Sequence, residues 1–150
     1  MRIYVDTSVV SGLYAQDSRI VESTRIFFQA ARHGKFTLYS SNLLAEEIRK
    51  TPDLQLRRAL VDAVENHHIQ ILPVSDEVNH LARLYVSEKI IPPRYLADAI
   101  HIAFAVMHNI PVLASWNFKH LVKHKTRCEV NRVNKDKGYP PIDLCSPEEL

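Results

Sequence analysis

The chain has 150 residues, of which 46% are hydrophobic and 24% charged, and its formal net charge is +2. This composition excludes a disordered chain and is typical of one folded domain, expected to span residues 1–150, and no apolar run approaches the about 20 residues of a membrane span. The two cysteines, Cys128 and Cys145, are not spaced as a disulfide framework or a zinc site, so a cytoplasmic protein is expected.

The predicted elements alternate between short apolar runs and helical patterns. Strands are predicted at residues 2–5, 36–39, 69–74, 112–114 and 142–144. Helices are predicted directly after Asp6, at 18–33, from about 41 to 49, 54 to 66, 75 to 89 and 94 to 108, and in the basic remainder of the chain. Thr7 or Ser8 is expected to cap the first helix, Gly34 to end the second and Ser75 to cap the fifth.

This alternation predicts an α/β fold, a three-layer α/β/α sandwich with a central parallel sheet of four to five strands. The core is expected to cover about residues 1–124, and about 125–150 to form a basic helical C-terminal extension. In open parallel sheets, ligands bind beyond the carboxyl ends of the strands. Polar residues that directly follow a strand are therefore the first candidates for a functional site.

Asp6 directly follows the first predicted strand. It is either the N-cap of the next helix or an anionic ligand at the edge of the sheet. A phosphotransferase with an aspartyl nucleophile begins in a similar way, but that class places a second aspartate two residues later, where this chain has Ser8. The sequence therefore does not favour a phosphorylated aspartate.

Asp98 and His101 are the only polar residues in the apolar run from Leu96 to Val106. A helix that is apolar nearly all round is expected to be buried, and a lone buried carboxylate is costly unless it is paired or bound to a metal. Asp98 is therefore a candidate ligand, with a structural pair to an arginine as the alternative. His101, one turn later, is expected to be a core or supporting histidine rather than a ligand.

Two further segments carry candidate polar groups. Glu46 and Glu47 lie on the helix after the second strand, and Glu47 is slightly favoured because it lies one turn after an apolar residue. Asn117 follows the fourth strand, where it either caps the next helix or offers an amide oxygen to a metal or its water. Beside it, Trp116 and Phe118 either pack or stack on an unpaired base.

Basic residues are concentrated in one late segment. Between residues 119 and 137 the basic residues are Lys119, Lys123, Lys125, Arg127, Arg132, Lys135 and Lys137, against Glu129 and Asp136. Such a segment is either a solvated helix face or a surface that neutralises phosphates.

The candidate ligands are all oxygen atoms, which favours hard cations such as Mg²⁺ or Mn²⁺ over zinc. The chain has eight histidines but no His-Glu-x-x-His motif. Carboxylates that converge at one end of a sheet repel one another, so a cation is expected among them. Such ions activate water and hold phosphate oxygens.

These motifs resemble those of PIN domains, especially the VapC-like ribonucleases of prokaryotic toxin–antitoxin pairs. The resemblance rests on residues 4–8 (YVDTS), 41–48 (SNLLAEEI), 97–103 (ADAIHIA) and 112–120 (VLASWNFKH). The motifs come in the family's order and span residues 1 to about 124. The resemblance implies a Mg²⁺- or Mn²⁺-dependent endoribonuclease, the toxin of a type II pair, with RNA as substrate, a cognate antitoxin as protein partner and a homodimeric assembly.

The resemblance also implies a set of site residues, matched position by position. The metal ligands and catalytic carboxylates are Asp6, Glu47 and Asp98, and Thr7 or Ser8 is the accessory hydroxyl. Beside these matches, Asn117 is expected to be a further catalytic residue, His101 an accessory residue, and Lys119 and His120 contacts to RNA. Asn117 stands where many PIN nucleases place a fourth acid, so one metal is expected to bind well and a second poorly.

Two other functions stay open at this point. One is a catalytically weak PIN-like module that binds RNA or protein, which Asn117 and the modest net charge favour. The other is a metal-dependent DNase or phosphodiesterase, since the same carboxylates would serve either reaction.

Overall fold

The computed structural model describes residues 1–150 and contains one sheet of five parallel strands. The strands are β1 (Arg2–Val5), β2 (Thr37–Ser41), β3 (Gln70–Leu72), β4 (Val112–Ala114) and β5 (Asp143–Cys145). Their order across the sheet is β3-β2-β1-β4-β5, with Ile3 of β1 opposite Leu38 of β2 and Val112 of β4. The predicted parallel sheet is confirmed.

Seven α-helices connect and cover the strands. They are α1 (Thr7–Gly12), α2 (Ser18–Arg32), α3 (Asn42–Arg49), α4 (Leu54–Asn66), α5 (Asp76–Ser87), α6 (Leu96–Met107) and α7 (His124–Lys137). Short 3₁₀ turns precede α6, at Pro93–Tyr95, and follow β5, at Pro147–Glu149. Together with the sheet they form the predicted three-layer α/β/α sandwich.

Alternation along β1 sends its side chains to two separate cores. Ile3 and Val5 pack with apolar residues of α1, α2, α3 and α4 on one face of the sheet. Tyr4 packs with α5, α6 and α7 on the other face. Because helices cover both faces, the strand is apolar at every one of these positions.

The strand order creates a crevice at one edge of the sheet. From β1 the chain proceeds through β2 to β3, and then crosses back to β4 on the other side of β1. At such a reversal, the carboxyl ends of the two neighbouring strands border a ligand-binding crevice. Asp6 follows β1 and Ser115 follows β4, so these two residues lie at the crevice.

Some local predictions are confirmed and others need correction. Ser75 caps α5, and Gly34, with a φ of 81°, follows the end of α2. Thr7 or Ser8 was expected to cap α1, but the N-cap is Asp6, whose carboxylate accepts a backbone N–H of the first turn. The predicted strand boundaries shift by up to two residues because tertiary pairing sets strand ends.

The chain after β4 is less helical than expected. Residues 115–123 form turns and bends, and α7 begins only at His124. After α7 the chain returns to the sheet, where β5 pairs with β4. No helix combines the length and the apolar character required to cross a membrane. Both cysteines are free thiols.

Candidate active site at the carboxyl edge of the sheet

Asp6 is buried at the carboxyl end of β1, where only 4% of its surface is exposed. Its Oδ1 accepts hydrogen bonds from the Ser8 hydroxyl at 2.6 Å and from the Val9 backbone N–H at 3.2 Å. Its Oδ2 accepts the Ser115 hydroxyl at 2.5 Å. Burial raises the pKa of Asp6, while the charge of His101 and the three donors act in the opposite direction. Because a carboxylate oxygen accepts two bonds, Oδ2 retains one free position.

The two serine hydroxyls are oriented by the segment that follows β4. The Trp116 N–H donates to Ser8 Oγ at 2.8 Å, and the Asn117 N–H donates to Ser115 Oγ at 2.9 Å. Each serine oxygen therefore accepts from the backbone and donates its own hydrogen to Asp6. Ser115 was not among the predicted site residues, although it is the first polar residue after β4, the same rule that selected Asp6.

Trp116 anchors this segment on its other side. Its indole Nε1–H donates to Thr24 Oγ1 at 3.0 Å. Helix α1 approaches the ring so closely that a Cβ on Gly12 would lie 2.9 Å from Trp116 Nε1, which only glycine avoids. Trp116 therefore packs against α1 and α2, whereas the side chain of Phe118 is 51% exposed to solvent.

Glu47 turns from α3 towards the same edge. Its Oε1 accepts the Thr7 hydroxyl at 2.9 Å and His101 Nε2–H at 2.7 Å, and its Oε2 accepts no hydrogen bond. Burial alone would raise the pKa of Glu47, but the hydrogen bond and charge of His101, together with Thr7, lower it overall. Glu46 is exposed to solvent and has no such partner.

His101 is a buried hub between the two carboxylates and the core. Its Nε2 faces Glu47, and its Nδ1 lies 2.6 Å from the Tyr4 hydroxyl, which in turn lies 3.0 Å from Ser41 Oγ. Burial acts to lower the pKa of His101, but Tyr4, Glu47 and Asp6 raise it overall. The Tyr4 hydroxyl thus links His101 Nδ1 to Ser41 Oγ in one buried hydrogen-bonded chain. Tyr4 and Ser41 were not predicted as site residues.

Asp98 lies in the first turn of α6 and is half-buried rather than enclosed. The expectation of a fully buried carboxylate is therefore wrong, because the start of α6 extends past the buried part of the helix. The pKa of Asp98 is nevertheless raised to about 6: burial, foremost, and the charges of Asp6 and Glu47 raise it, while His101 and Asn117 act in the opposite direction. No arginine pairs with Asp98, which removes the structural alternative.

Asn117 connects Asp98 to the turn that follows β4. Its Nδ2 donates to Asp98 at 3.2 Å, and its Oδ1 accepts the His120 backbone N–H at 3.0 Å. The amide therefore caps a turn, not α7, and presents its nitrogen rather than its oxygen to the carboxylate. Lys119 is exposed and His120 half-buried beside this turn.

The family model described as PIN domain matches residues 3–119 of the sequence. The chain belongs to the PIN domain family. The matched range contains Asp6, Glu47, Asp98 and Asn117 and ends within the turn that Asn117 caps. No curated protein matches the sequence.

Solved structures with the same fold share little sequence with this PIN domain. FitAcB from Neisseria gonorrhoeae is 16% identical with a TM-score of 0.62, covering 99% of this chain and 99% of its own. VapBC2 from Rickettsia felis, bound to a DNA fragment from their promoter, is 14% identical with a TM-score of 0.60, covering 97% and 98%. VapC20 from Mycobacterium tuberculosis, a Sarcin-Ricin loop cleaving toxin, is 16% identical with a TM-score of 0.57, covering 79% and 92%.

The carboxylates of this PIN domain fit a divalent cation in charge and donor type. Asp6 and Glu47 are near enough to raise the pKa of Asp98. When all three are ionised, the single positive charge of His101 leaves two negative charges unbalanced, and the available donors are oxygens, which Mg²⁺ and Mn²⁺ prefer. No three His, Cys, Asp or Glu side chains form a preformed metal-binding group, and Glu47 Oε1 is hydrogen-bonded to Thr7 and His101.

Because the folded state raises the pKa of Asp98, we expect the metal-free domain to be more stable when residue 98 carries no negative charge. In the absence of metal, Asp98→Asn is expected to raise the unfolding temperature above about pH 6, the value to which the folded state raises the pKa. The folded state binds this proton more tightly than the unfolded state, so the penalty appears as pH rises from near 3.8 through about 6 and is absent below that window. Thermal unfolding in EDTA across this range measures the effect.

A matched control is Asp76→Asn, since Asp76 also lies in the first turn of a helix but is exposed. That variant is expected to be slightly less stable than the parent, because an acidic residue near a helix N-terminus is favourable. Equal destabilisation by both substitutions at every pH would contradict the interpretation of Asp98.

Proposed function

We propose that this PIN domain is a Mg²⁺- or Mn²⁺-dependent endoribonuclease that hydrolyses phosphodiester bonds of RNA. The observation that carries the proposal is the position of Asp6, Glu47 and Asp98 around the crevice between β1 and β4, with mutual charge effects that a cation would relieve. Family membership is consistent with nuclease chemistry at this edge.

Each residue has a separate role in the proposed reaction. Asp6 and Asp98 would hold the ion, and Glu47 would bind it or orient the attacking water through its unpaired Oε2. A bound Mg²⁺ or Mn²⁺ would supply water activation and stabilise charge on the phosphate oxygens. His101 balances part of the negative charge and holds Glu47. The hydroxyls of Ser8 and Thr7 act as accessory groups that fix the carboxylates.

The remaining residues would position the substrate. Asn117 donates to Asp98 and so orients that carboxylate. Lys119 and His120, in the turn that Asn117 caps, would contact the RNA backbone, since phosphate contacts supply most of the affinity for nucleic acids.

We further propose that the chain is the toxin of a type II toxin–antitoxin pair, forms a homodimer and acts in the cytoplasm. Support for an antitoxin partner comes from the fold similarity to FitAcB and VapBC2. An open apolar cleft of about 280 Å³ also lies between α3 and α4, lined by Leu44, Ile48, Val61, Val64 and Ile71 among others. Light scattering of the chain alone and with the protein encoded beside it tests both assemblies, and a monomer that forms no complex would refute them.

Removal of metal is the direct test of the proposed activity. Purified chain is expected to cleave single-stranded or structured RNA in Mg²⁺ or Mn²⁺, to leave DNA intact, and to lose cleavage in EDTA, with recovery when the metal is restored. Product analysis by gel electrophoresis measures all three. Cleavage that persists in EDTA would refute metal dependence, and equal cleavage of DNA would favour the general phosphodiesterase.

The binding-module alternative is favoured by one specific observation, the absence of a preformed three-ligand group. Asn117 in place of a fourth acid agrees with it. Calorimetric titration with Mg²⁺ and Mn²⁺ distinguishes the two functions. Absence of metal binding at millimolar concentration, together with intact RNA binding, would establish the module and exclude the nuclease.

A further inference from the structure

Four residues beside Asp98 form a compact group around the Tyr95 ring, here called the Tyr95 cluster: Arg94, Tyr95, Lys119 and His120. The His120 ring centroid lies 4.0 Å from that of Tyr95, with an angle of 36° between the planes. The Arg94 guanidinium carbon lies 5.0 Å, and Lys119 Nζ 5.9 Å, from the Tyr95 centroid. Two segments distant in sequence therefore bring their cations to one aromatic ring, which attracts cations through its face.

The cations of this cluster have no carboxylate partners. Every ion pair of the protein involves other basic groups, and none includes Arg94, Lys119 or the neighbouring Lys123. By contrast, Arg127 and Arg132 of the same basic segment are paired with acidic residues of the chain. The two arginines of the segment are thus neutralised within the chain, whereas Arg94, Lys119 and Lys123 near the crevice keep their positive charge uncompensated.

Like charges within the cluster act on His120. Burial lowers the pKa of His120, and the charges of Lys119, Lys123 and Arg94 lower it further. The positive charges of these residues are thus close enough to one another to be mutually unfavourable, and a bound anion would offset that repulsion.

One buried nitrogen in the cluster lacks a partner. His120 Nε2 is shielded from solvent and makes no hydrogen bond. The backbone of His120 is held on both sides, because its N–H donates to Asn117 Oδ1 at 3.0 Å and its carbonyl accepts the Thr126 hydroxyl at 3.0 Å. The ring is therefore held against Tyr95 with an unused polar atom, and such atoms are costly unless a ligand or water satisfies them.

We propose that the Tyr95 cluster is a phosphate-binding site that holds the RNA backbone next to the phosphodiester cleaved at the carboxylates. Arg94 and Lys119 supply the positive charge, and the Tyr95 ring, packed against His120, holds the two cations together. The inference rests on the proposed function for the identity of the anion. It extends the expected RNA contacts, Lys119 and His120, to a second chain segment that the sequence did not indicate.

The position of the cluster relative to the crevice supports this ligand. Tyr95 lies three residues before Asp98, and Lys119 and His120 follow Asn117, whose amide donates to Asp98. Carboxylates that hold a cation and cations that hold a phosphate are thus adjacent. A polyanion that crosses the crevice would contact both, with one phosphate at each.

Salt dependence of RNA binding tests the site without metal or cleavage. A short labelled single-stranded RNA is titrated in EDTA at salt concentrations from about 50 to about 200 mM, and affinity is measured by fluorescence anisotropy. Arg94→Gln and Lys119→Gln are each expected to weaken binding and to reduce the slope of log affinity against log salt by about 0.7, the value for one phosphate contact on a single strand. The double variant is expected to lose about twice that amount.

Arg58→Gln is the matched control, because Arg58 is an exposed arginine of α4 without an ion-pair partner. It is expected to leave the slope unchanged. Unchanged slopes in both cluster variants, an equal loss in the control, or no RNA binding by the parent chain would overturn the proposal. If the cluster variants show the expected reduction in slope but the parent chain cleaves no RNA in Mg²⁺ or Mn²⁺, the phosphate-binding site is supported and the proposed nuclease activity is refuted.

Discussion

Asp6→Asn is expected to reduce RNA cleavage in Mg²⁺ by about 100- to 1,000-fold, because a metal ligand contributes several kcal/mol to the stabilisation of the transition state. The asparagine keeps the size of Asp6 and is as good an N-cap as aspartate, so α1 is expected to form normally. What the substitution removes is the negative charge at the end of β1 and, because an amide NH₂ does not accept, the acceptor of one of the two serine hydroxyls. Cleavage rates at saturating metal, with unfolding curves to show that the variant is folded, measure the effect.

Asp17→Asn is the control for this substitution. Asp17 is the N-cap of α2, where its side chain accepts the Arg19 backbone N–H. Asp17→Asn therefore makes the same change, carboxylate to amide, at the same kind of helix position. It is expected to cleave RNA as fast as the parent chain. Asp98→Asn is expected to behave like Asp6→Asn in cleavage. Full metal-dependent activity in both site variants would exclude the proposed ligands.

Tyr4→Phe is expected to weaken metal binding and cleavage by about 10-fold, the lower end of the effect of groups that orient a metal ligand. The substitution keeps the ring but removes the hydroxyl that is hydrogen-bonded to both His101 Nδ1 and Ser41 Oγ. His101 Nδ1 then has no hydrogen-bond partner in the core, so the ring that contacts Glu47 Oε1 through Nε2 is held less firmly. The same loss is expected to reduce the free energy of unfolding by about 1–3 kcal/mol.

Tyr85→Phe separates the positioning effect from simple destabilisation. Tyr85 is also a fully buried tyrosine of the Tyr4 core, and its hydroxyl donates to Asn134 on α7, away from the carboxylates. Urea unfolding is expected to show a similar decrease in the free energy of unfolding for both variants. Calorimetric titration with Mn²⁺ is expected to show weaker metal binding for Tyr4→Phe alone. Equal changes in metal affinity would mean that Tyr4 has only a structural role.

The sequence predicted the parallel sheet because its strands are short apolar runs that alternate with helices, and helices on both faces make such runs necessary. The position of Asp6 followed from the rule for strand ends. The same rule pointed to Asn117 rather than to Ser115, because an amide is a more conspicuous candidate ligand than a hydroxyl. In the structure the serine contacts Asp6 and the amide contacts Asp98.

Other parts of the site depend on tertiary register, which periodicity does not report. Tyr4 is an apolar-core residue by pattern, and only the packing of α6 against β1 brings its hydroxyl to His101. The depth of Asp98 was overestimated because helical periodicity gives the direction of a side chain but not how far along the helix burial begins. The Tyr95 cluster joins two segments whose contact no local pattern indicates.

The carboxylate network has a consequence for the order in which the site can assemble. Asp6 and Ser115 are 109 positions apart, and Tyr4 and His101 are 97 apart. Contacts between such distant positions form slowly, since closing the long intervening loop costs conformational entropy before the contact stabilises it. During synthesis, Asp6 and Glu47 leave the ribosome well before Asp98 and the segment after β4, so the nascent chain has no complete site until most of it has emerged. A nascent chain that still lacks the segment after β4 therefore lacks the Ser115 hydrogen bond to Asp6 and the Asn117 hydrogen bond to Asp98.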